Sequence, residues 1–299
     1  KPSSAASDVY KRQLVVLAIS QSEEWGFIDL RSGSAMAAGI VLIAGFVRRC
    51  QVAESPLLDL SLFKLPFVVA ANLSGVLFSV GFIGMWLLNT TWLQQVWHYS
   101  VVKSGLATFA GPAMAAFIAP FAGKFAMKWG HARVLFLGSV LLSFGTIMMT
   151  NFITTEPNFV THYLPWMLLT GMGVGFCIST LSSAATAFLP PTRFAMGSAL
   201  NTTTRQIGTA LGSAIALTVA APAFKQIYSL GVRAKEAATS GMPLNWTDET
   251  AKLDLSAYHT AWNINGVVYL VAGILMILIY RKPTDAQLVN AGAKITFED

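Results

Sequence analysis

The sequence predicts an all-α protein embedded in a lipid bilayer. Three observations predict it. Of its 299 residues, 54% are hydrophobic and only 11% are charged, whereas a soluble domain carries about 25% charge. The apolar residues come in long blocks with short polar connections, not in amphipathic stripes. The chain has 14 Asp and Glu residues, yet none falls inside any of those blocks, as a hydrocarbon core demands.

A spanning helix needs about 20 mostly apolar residues. Seven blocks reach or approach that: 32–47, 66–89, 104–127, 133–152, 163–188, 197–221 and 257–280. Residues 1–13 are polar and without pattern, and the piece SDVYKRQ resembles translated adapter sequence. They are expected to form a non-native or disordered leader. Residues 14–53 then read as the end of one span followed by the block at 32–47. That block is short, and Arg48 and Arg49 extend its reach by snorkelling.

The second block carries Asn72, Gly75, Ser79, Phe82, Trp86 and Asn89 at helical spacing. A stripe facing lipid would be Leu, Val and Ile. Amides, small residues and aromatic rings fit helix packing, and they equally fit a cavity that binds flat apolar or cationic compounds. The third block contains Pro112 and Pro120, each of which removes an intrahelical hydrogen bond and permits a kink. The fifth carries Gly171, Gly173 and Gly175, then Ser179, Ser182 and Thr186. Gly-x-Gly-x-Gly invites a nucleotide reading, but no strand precedes it and the glycines lie within an apolar block. Small residues four apart are what close helix contact in lipid requires.

The sixth block reads GSALNTTTRQIGTALGSAIALTV from Gly197. Arg205 lies eight residues in, about 12 Å from the block's start. It is the one charge deep inside any span, and such residues are candidates for function. Two readings stand: a cation that lines a cavity and organises a polar network, or one that snorkels to the cytoplasmic surface. Gly197, Asn201, Arg205, Gly208 and Gly212 share one face, with Gln206 beside them. The long connection 222–256 is mixed in charge, and its stretch 223–238 is expected to form an interfacial helix extending the sixth span.

The basic residues orient the chain. Arg48, Arg49 and Lys64 follow the first block, Lys124, Lys128 and Arg133 join the third to the fourth, Arg193 lies between the fifth and sixth, and Arg281 and Lys282 follow the last. Those are alternate connections. Positive charge inside then puts 48–65, 124–133, 189–196 and the C-terminal tail 283–299 in the cytoplasm. The net charge of +6 is thereby accounted for without nucleic acid. Cys50 and Cys177 offer no disulfide framework or metal-ligand spacing. No Ser/His/Asp set, His cluster or phosphate loop is present, so neither an enzyme, a metal site nor a cofactor is expected.

Several ordered stretches resemble the major facilitator superfamily, and within it the fourteen-span drug:proton antiporters. They are WGFIDLRSG (25–33), SPLLDLSLFKLPFVVAANL (55–73), the segment 91–135 with its Leu-Gln, Tyr-Ser, Ser-Gly-Leu and Gly-Pro pieces, and GMGVGFCISTLSSAATAFLPPTRFAMGSALNTTTRQIGTALGSAIA (171–216). The similarity covers roughly residues 14–282. It implies that 32–47 is a central linker helix and that 54–282 is the C-terminal six-helix half of a transporter. That half would be built of two inverted repeats, 66–152 and 163–280, with the cavity lined by 66–89, 104–127, 163–188 and 197–221. Gly123, Lys128, Gly130 and Arg133 match the superfamily's cytoplasmic loop motif, but Met127 stands where the better-preserved copy has Asp.

The function implied is proton-coupled multidrug efflux by alternating access from a multi-pass protein of the cell membrane. The implied substrates are hydrophobic or cationic small molecules. Protons would pass through an N-terminal half that carries the embedded acid, and an adaptor or outer-membrane component would be a further partner. Asn72, Ser79, Trp86, Asn89, Asn201, Arg205 and Gln206 are the candidate cavity residues. Gly171, Gly175, Gly208 and Gly212 are the packing positions. A transporter of another substrate, such as a siderophore or metabolite, is the alternative. A seven-helix receptor fits less well, because Leu14–Ser20 looks like a truncated span. A retinal protein would need a lysine in 257–280, which has none.

Overall fold

The computed structural model describes residues 60–240 and 255–284. The leader 1–13, the block at 32–47 and the tail beyond 284 lie outside the described residues. The chain divides into two units, Lys1–Lys64 and Leu65–Asp299. Within the first, the described part is a short 3-10 turn, Leu60–Lys64.

Among its described residues the second unit holds six helices long and apolar enough to cross a membrane. They are α1 (Pro66–Thr91), α2 (Val101–Trp129), α3 (His131–Phe152), α4 (Leu164–Ala184), α5 (Phe194–Ser240) and α6 (Ser256–Ile279). There is no strand among the described residues. With no water in a bilayer to satisfy free N–H and C=O groups, helices are one of only two structures that can span it. Serine and threonine hydroxyls inside the spans mostly bond a carbonyl one turn back in the same helix, as Thr108 does to Ser104 at 2.9 Å.

Local chemistry sets the helix ends. Ser100 starts α2 by accepting a hydrogen bond from the Lys103 amide at 3.2 Å. Gly130, at φ 88°, both ends α2 and starts α3. A side chain is strained at that φ, so glycine makes this one-residue reversal possible. Wide π turns at Trp92–Val96 and Phe159–Tyr163 follow α1 and precede α4. The sixth block departs most from its expected length. Its helix runs on past residue 221 to Ser240 as α5, 47 residues in all. Pro222 lies within it, and losing one backbone hydrogen bond does not stop the helix. The expected helix at 223–238 is therefore the continuation of α5.

Packing follows a definite order. α1 lies between α5 and α6, α4 lies between α2 and α3, and α3 packs on α6. Exchanging the first three helices with the last three maps this arrangement onto itself. Glycine makes both central helices fit. In α4, Gly171 and Gly175 face α2, where an added Cβ would come within 2.5 Å of the Gly111 carbonyl oxygen and 2.7 Å of that of Ala115. Gly173, two residues along and so on the opposite side, faces α3, where a Cβ would lie 2.7 Å from the Gly138 carbonyl oxygen. The alternation in Gly-x-Gly-x-Gly lets one helix meet two neighbours. At α1 the partner supplies the glycines: a Cβ at Gly208 or Gly212 of α5 would run into the Val76 or Val80 carbonyl.

Aromatic clusters close the two ends. At one, Trp92 packs edge-on against Tyr258 at 5.3 Å and tilted against Trp262 at 5.1 Å, and Trp97 meets Tyr163 at 5.9 Å. At the other, Phe67, Phe188 and Tyr280 bring together α1, the segment after α4 and the end of α6.

The Gly212→Ala variant is expected to lose about 1–3 kcal/mol to overpacking. Gly105→Ala, whose Cβ would meet nothing within 4 Å, is expected to melt at or above the parent temperature. Cys177 is buried and unpaired, so its reaction with a maleimide dye on heating, in a Cys50→Ser background, reads both. Equal melting of the two variants would show that glycine contact does not set stability.

Candidate functional site

The α1–α5 seam gathers the polar residues that the sequence singles out. The two helices run the same way, so contacts advance in step along both. Asn72, 3% exposed, donates through Nδ2 to the Val68 carbonyl at 2.7 Å and accepts from Thr204 Oγ at 2.7 Å. One turn on, Gly75 faces Asn201 and Arg205: a Cβ there would lie 3.3 Å from Arg205 Cγ and 3.5 Å from Asn201 Nδ2. Ser79 follows, buried beneath Gly208.

Because residue 75 has no side chain, the methylenes of Arg205 lie on the α1 backbone. Its guanidinium carbon lies 5.9 Å from the centre of the Phe78 ring, within cation–π reach. Phe78 stacks on Phe82 at 5.7 Å. Gly75, Phe78, Phe82 and Trp86 follow one another at three- and four-residue steps, which is one stripe of α1. Phe78 is buried, Phe82 half-buried and Trp86 39% exposed, so the stripe opens toward the Trp92 end.

Among the described residues, no acid lies near the charge on Arg205. The only acids among the described residues are Glu156 and Glu236, one in the connection before α4 and one near the end of α5. Arg205 Nε and Asn201 Nδ2 are buried and have no hydrogen-bond partner. Asn201 as a whole is only 3% exposed.

Around its axis, α5 divides into three sectors. Asn201, Gly208 and Gly212 are covered by α1. To one side, Thr202, Gln206 and Thr209 form an exposed polar stripe. Thr202 and Thr209 donate back to the Ser198 and Arg205 carbonyls at 3.0 and 3.1 Å. To the other side, Ile207, Leu211 and Ile215 are exposed and apolar. Thr202, Gln206 and Thr209 thus form one exposed face of α5 and Ile207, Leu211 and Ile215 another, and a helix wholly surrounded by lipid would not keep the first. Arg205 leaves α5 between the covered sector and the polar one.

The predicted residues thus separate. Asn72, Ser79, Asn201 and Arg205 meet in the seam. Gln206 stands on the polar stripe and Trp86 on the open part of α1. Asn89 is elsewhere: it is buried, accepts from Trp262 Nε1 at 3.0 Å and contacts Met167 Sδ at 3.9 Å, tying α1 to α6 and α4. Gly130 forms the α2–α3 turn, with Met127, Lys128 and Arg133 exposed around it and nothing within 4 Å of where a Gly123 Cβ would stand. Thr204, Thr202, Thr209 and Phe78 were not singled out from sequence. Their signal, hydroxyls and a ring at helical spacing beside Arg205 and Gly75, gains meaning only once the covered face of each helix is known.

Known proteins share this sequence pattern. The family model described as the Major Facilitator Superfamily matches residues 16–213 and 72–296. A multidrug resistance protein B homolog of Mycobacterium tuberculosis (strain ATCC 25618 / H37Rv) is 31% identical over 178 residues, 59% of this chain and 33% of the relative. The cephamycin export protein CmcT of Amycolatopsis lactamdurans is 27% identical over 207 residues, 69% of this chain and 43% of its own. The tetracenomycin C resistance and export protein of Streptomyces glaucescens is 26% identical over 201 residues, 67% and 37% respectively. The chain thus spans between a third and just over two fifths of the length of these relatives. With a family model matching most of its length and six span-forming helices to carry it, the chain belongs to the major facilitator superfamily.

Proposed function

We propose that this chain is the C-terminal part of a proton-coupled multidrug efflux antiporter of the fourteen-span type, working by alternating access. In this reading residues 54–282 form one six-helix half, 14–53 hold the end of a span and a linker helix, and 283–299 form a cytoplasmic tail. The substrate cavity lies between this half and an N-terminal half. The observation that carries the reading is the three-sector surface of α5. A polar stripe and a half-buried arginine on the same side of a membrane helix need a cavity beside them.

Three further observations support it. The relatives are named for multidrug resistance and for antibiotic export. The exchange symmetry of the packing, with α1 and α4 each wedged between two partners, is the arrangement that two inverted three-helix repeats produce. No acid lies within a described membrane-crossing stretch, Glu236 falling beyond the Pro191–Ala223 stretch of α5, so the proton carrier belongs to the N-terminal half, since a guanidinium stays protonated. Among the described residues Lys124, Lys128, Arg133, Arg193, Arg281 and Lys282 fall at the Phe67 end, which supports a cytoplasmic assignment for that end and for the C-terminus. Partners are the bilayer, the transported compounds and an adaptor or outer-membrane component.

In the complete transporter, cysteines placed at Glu54 and Arg193 are expected to react with an impermeant maleimide only after the cells are permeabilised, and one at Thr239 before. Strong labelling of position 193 in intact cells would reverse the orientation. For transport, dye extrusion from energised cells, normalised to folded protein in the membrane, is the measurement. Gln206→Ala and Thr202→Val are expected to slow extrusion of some dyes by roughly three- to tenfold, the worth of one hydrogen bond, while Ile207→Ala leaves it unchanged. A protonophore should abolish extrusion in every active variant. Unaltered extrusion from both polar variants would remove α5 from the cavity, and extrusion insensitive to the protonophore would remove proton coupling.

A further inference from the structure

We propose that Arg205 and the Phe78–Phe82 ring pair form a binding site for the carboxylate of an aromatic or amphipathic small molecule, so that the transporter takes up anionic substrates in preference to cationic ones. The inference rests on the transport reading above, and deepens it by naming a substrate class.

Charge is the first argument. Arg205 carries a permanent positive charge and meets no acid among the described residues of the six helices. In a low-dielectric cavity an unneutralised guanidinium repels a cationic ligand and attracts an anionic one. Of the substrate class expected from sequence, hydrophobic or cationic, the cationic members require the opposite field at this position.

Donor geometry is the second. Arg205 Nε and Asn201 Nδ2 are both buried without partners, and both belong to side chains that converge on Gly75. Unpaired buried donors cost free energy unless an acceptor arrives. A guanidinium fork pairs with a carboxylate through two parallel hydrogen bonds. Thr204, by contrast, already spends its hydroxyl on Asn72, so the seam offers its spare donors only at the level of Arg205.

The third argument is what lies beside the charge. The Phe78 and Phe82 rings stack with planes 16° apart, and Trp86 continues the stripe one turn further on, exposed. A flat apolar body fits against Phe82 and Trp86 while its carboxylate reaches Arg205. Gly75 gives the arginine its place: a methyl there would lie 3.3 Å from Arg205 Cγ, so the side chain would have to shift by a few tenths of an ångström, while Asn201 Nδ2 at 3.5 Å would be in ordinary contact.

The test uses the complete transporter in nanodiscs and two probes of like size, pyrenebutyrate and pyrenemethylamine. Binding is read by energy transfer from tryptophan to pyrene, with lipid partition subtracted using protein-free discs. The wild type is expected to bind the carboxylate about tenfold or more tighter than the amine, in keeping with one charge-assisted pair. Arg205→Gln should abolish that preference by weakening the carboxylate alone, Arg205→Lys should retain part of it, and Gly75→Ala should reduce it. The proposal is overturned if Arg205→Gln leaves carboxylate affinity within about twofold, or weakens both probes equally, which is the mark of a structural role or of an arginine paired to an acid in the N-terminal half. Transport is scored separately. A protein that shows Arg205-dependent carboxylate binding yet extrudes no dye keeps the site and loses the efflux reading. One that extrudes neutral and cationic dyes with no Arg205-dependent carboxylate binding keeps efflux and loses the site.

Discussion

Helices surrounded by lipid gain nothing from hiding apolar side chains, because the lipid tails are as apolar as leucine. What joins them is the close approach of backbones, and in this bundle that approach depends on glycine. Gly171 and Gly175 admit α2 to α4, Gly173 admits α3 on the opposite side, and Gly208 and Gly212 bring α5 onto α1. Each contact presses a backbone carbonyl into the space where a Cβ would stand. α4 is held by this device on both flanks and α1 on its α5 flank, while toward α6 the α1 glycines Gly81 and Gly84 admit the side chains of Tyr269 and Asn265 instead.

The chemistry of the seam is a consequence. Where α5 lies against α1, polar side chains between them leave the membrane and must be satisfied locally. Asn72 and Thr204 satisfy each other. Asn201 and Arg205 do not. The close contact that Gly208 and Gly212 create farther along gives Arg205 little room except over Gly75, and the chain has no side chain at that point to exclude it. The arginine's direction is set by a glycine on one helix and two on the other, none of which can itself bind anything.

The ends of the bundle solve a different problem. Each end joins several helices at once through aromatic rings. At the Trp92 end, Trp92, Trp97, Tyr163, Tyr258 and Trp262 form a buried aromatic cluster, and Trp97 donates to the Thr154 carbonyl at 2.8 Å. Amphipathic rings of this kind belong at a membrane interface. At the Phe67 end the cluster is smaller, and Tyr280 reaches the Ala184 carbonyl at 3.4 Å. The larger cluster joins α1, α4 and α6 firmly, while the end nearer Arg205 is held by fewer rings.

The sequence by itself determined the class, the number of described spans, their approximate limits and the absence of in-span acids, because a bilayer imposes a length and an exclusion rule that apolar blocks display directly. It also marked Gly171, Gly175, Gly208 and Gly212 for packing, since small residues four apart have few other uses in lipid. It did not determine which helix each glycine admits, nor that α5 continues through Pro222 to Ser240. The stripe from Asn72 to Asn89 shows the limit. Periodicity placed its members on one face of α1, but a face is wide and three neighbours share it. Only the tertiary structure sent Asn72 and Ser79 under α5, tied Asn89 to Trp262 and Met167, and left Trp86 exposed. The reason is geometric. A sequence fixes the angle of a side chain about its own helix axis, and where that angle points is decided by the helices packed around it.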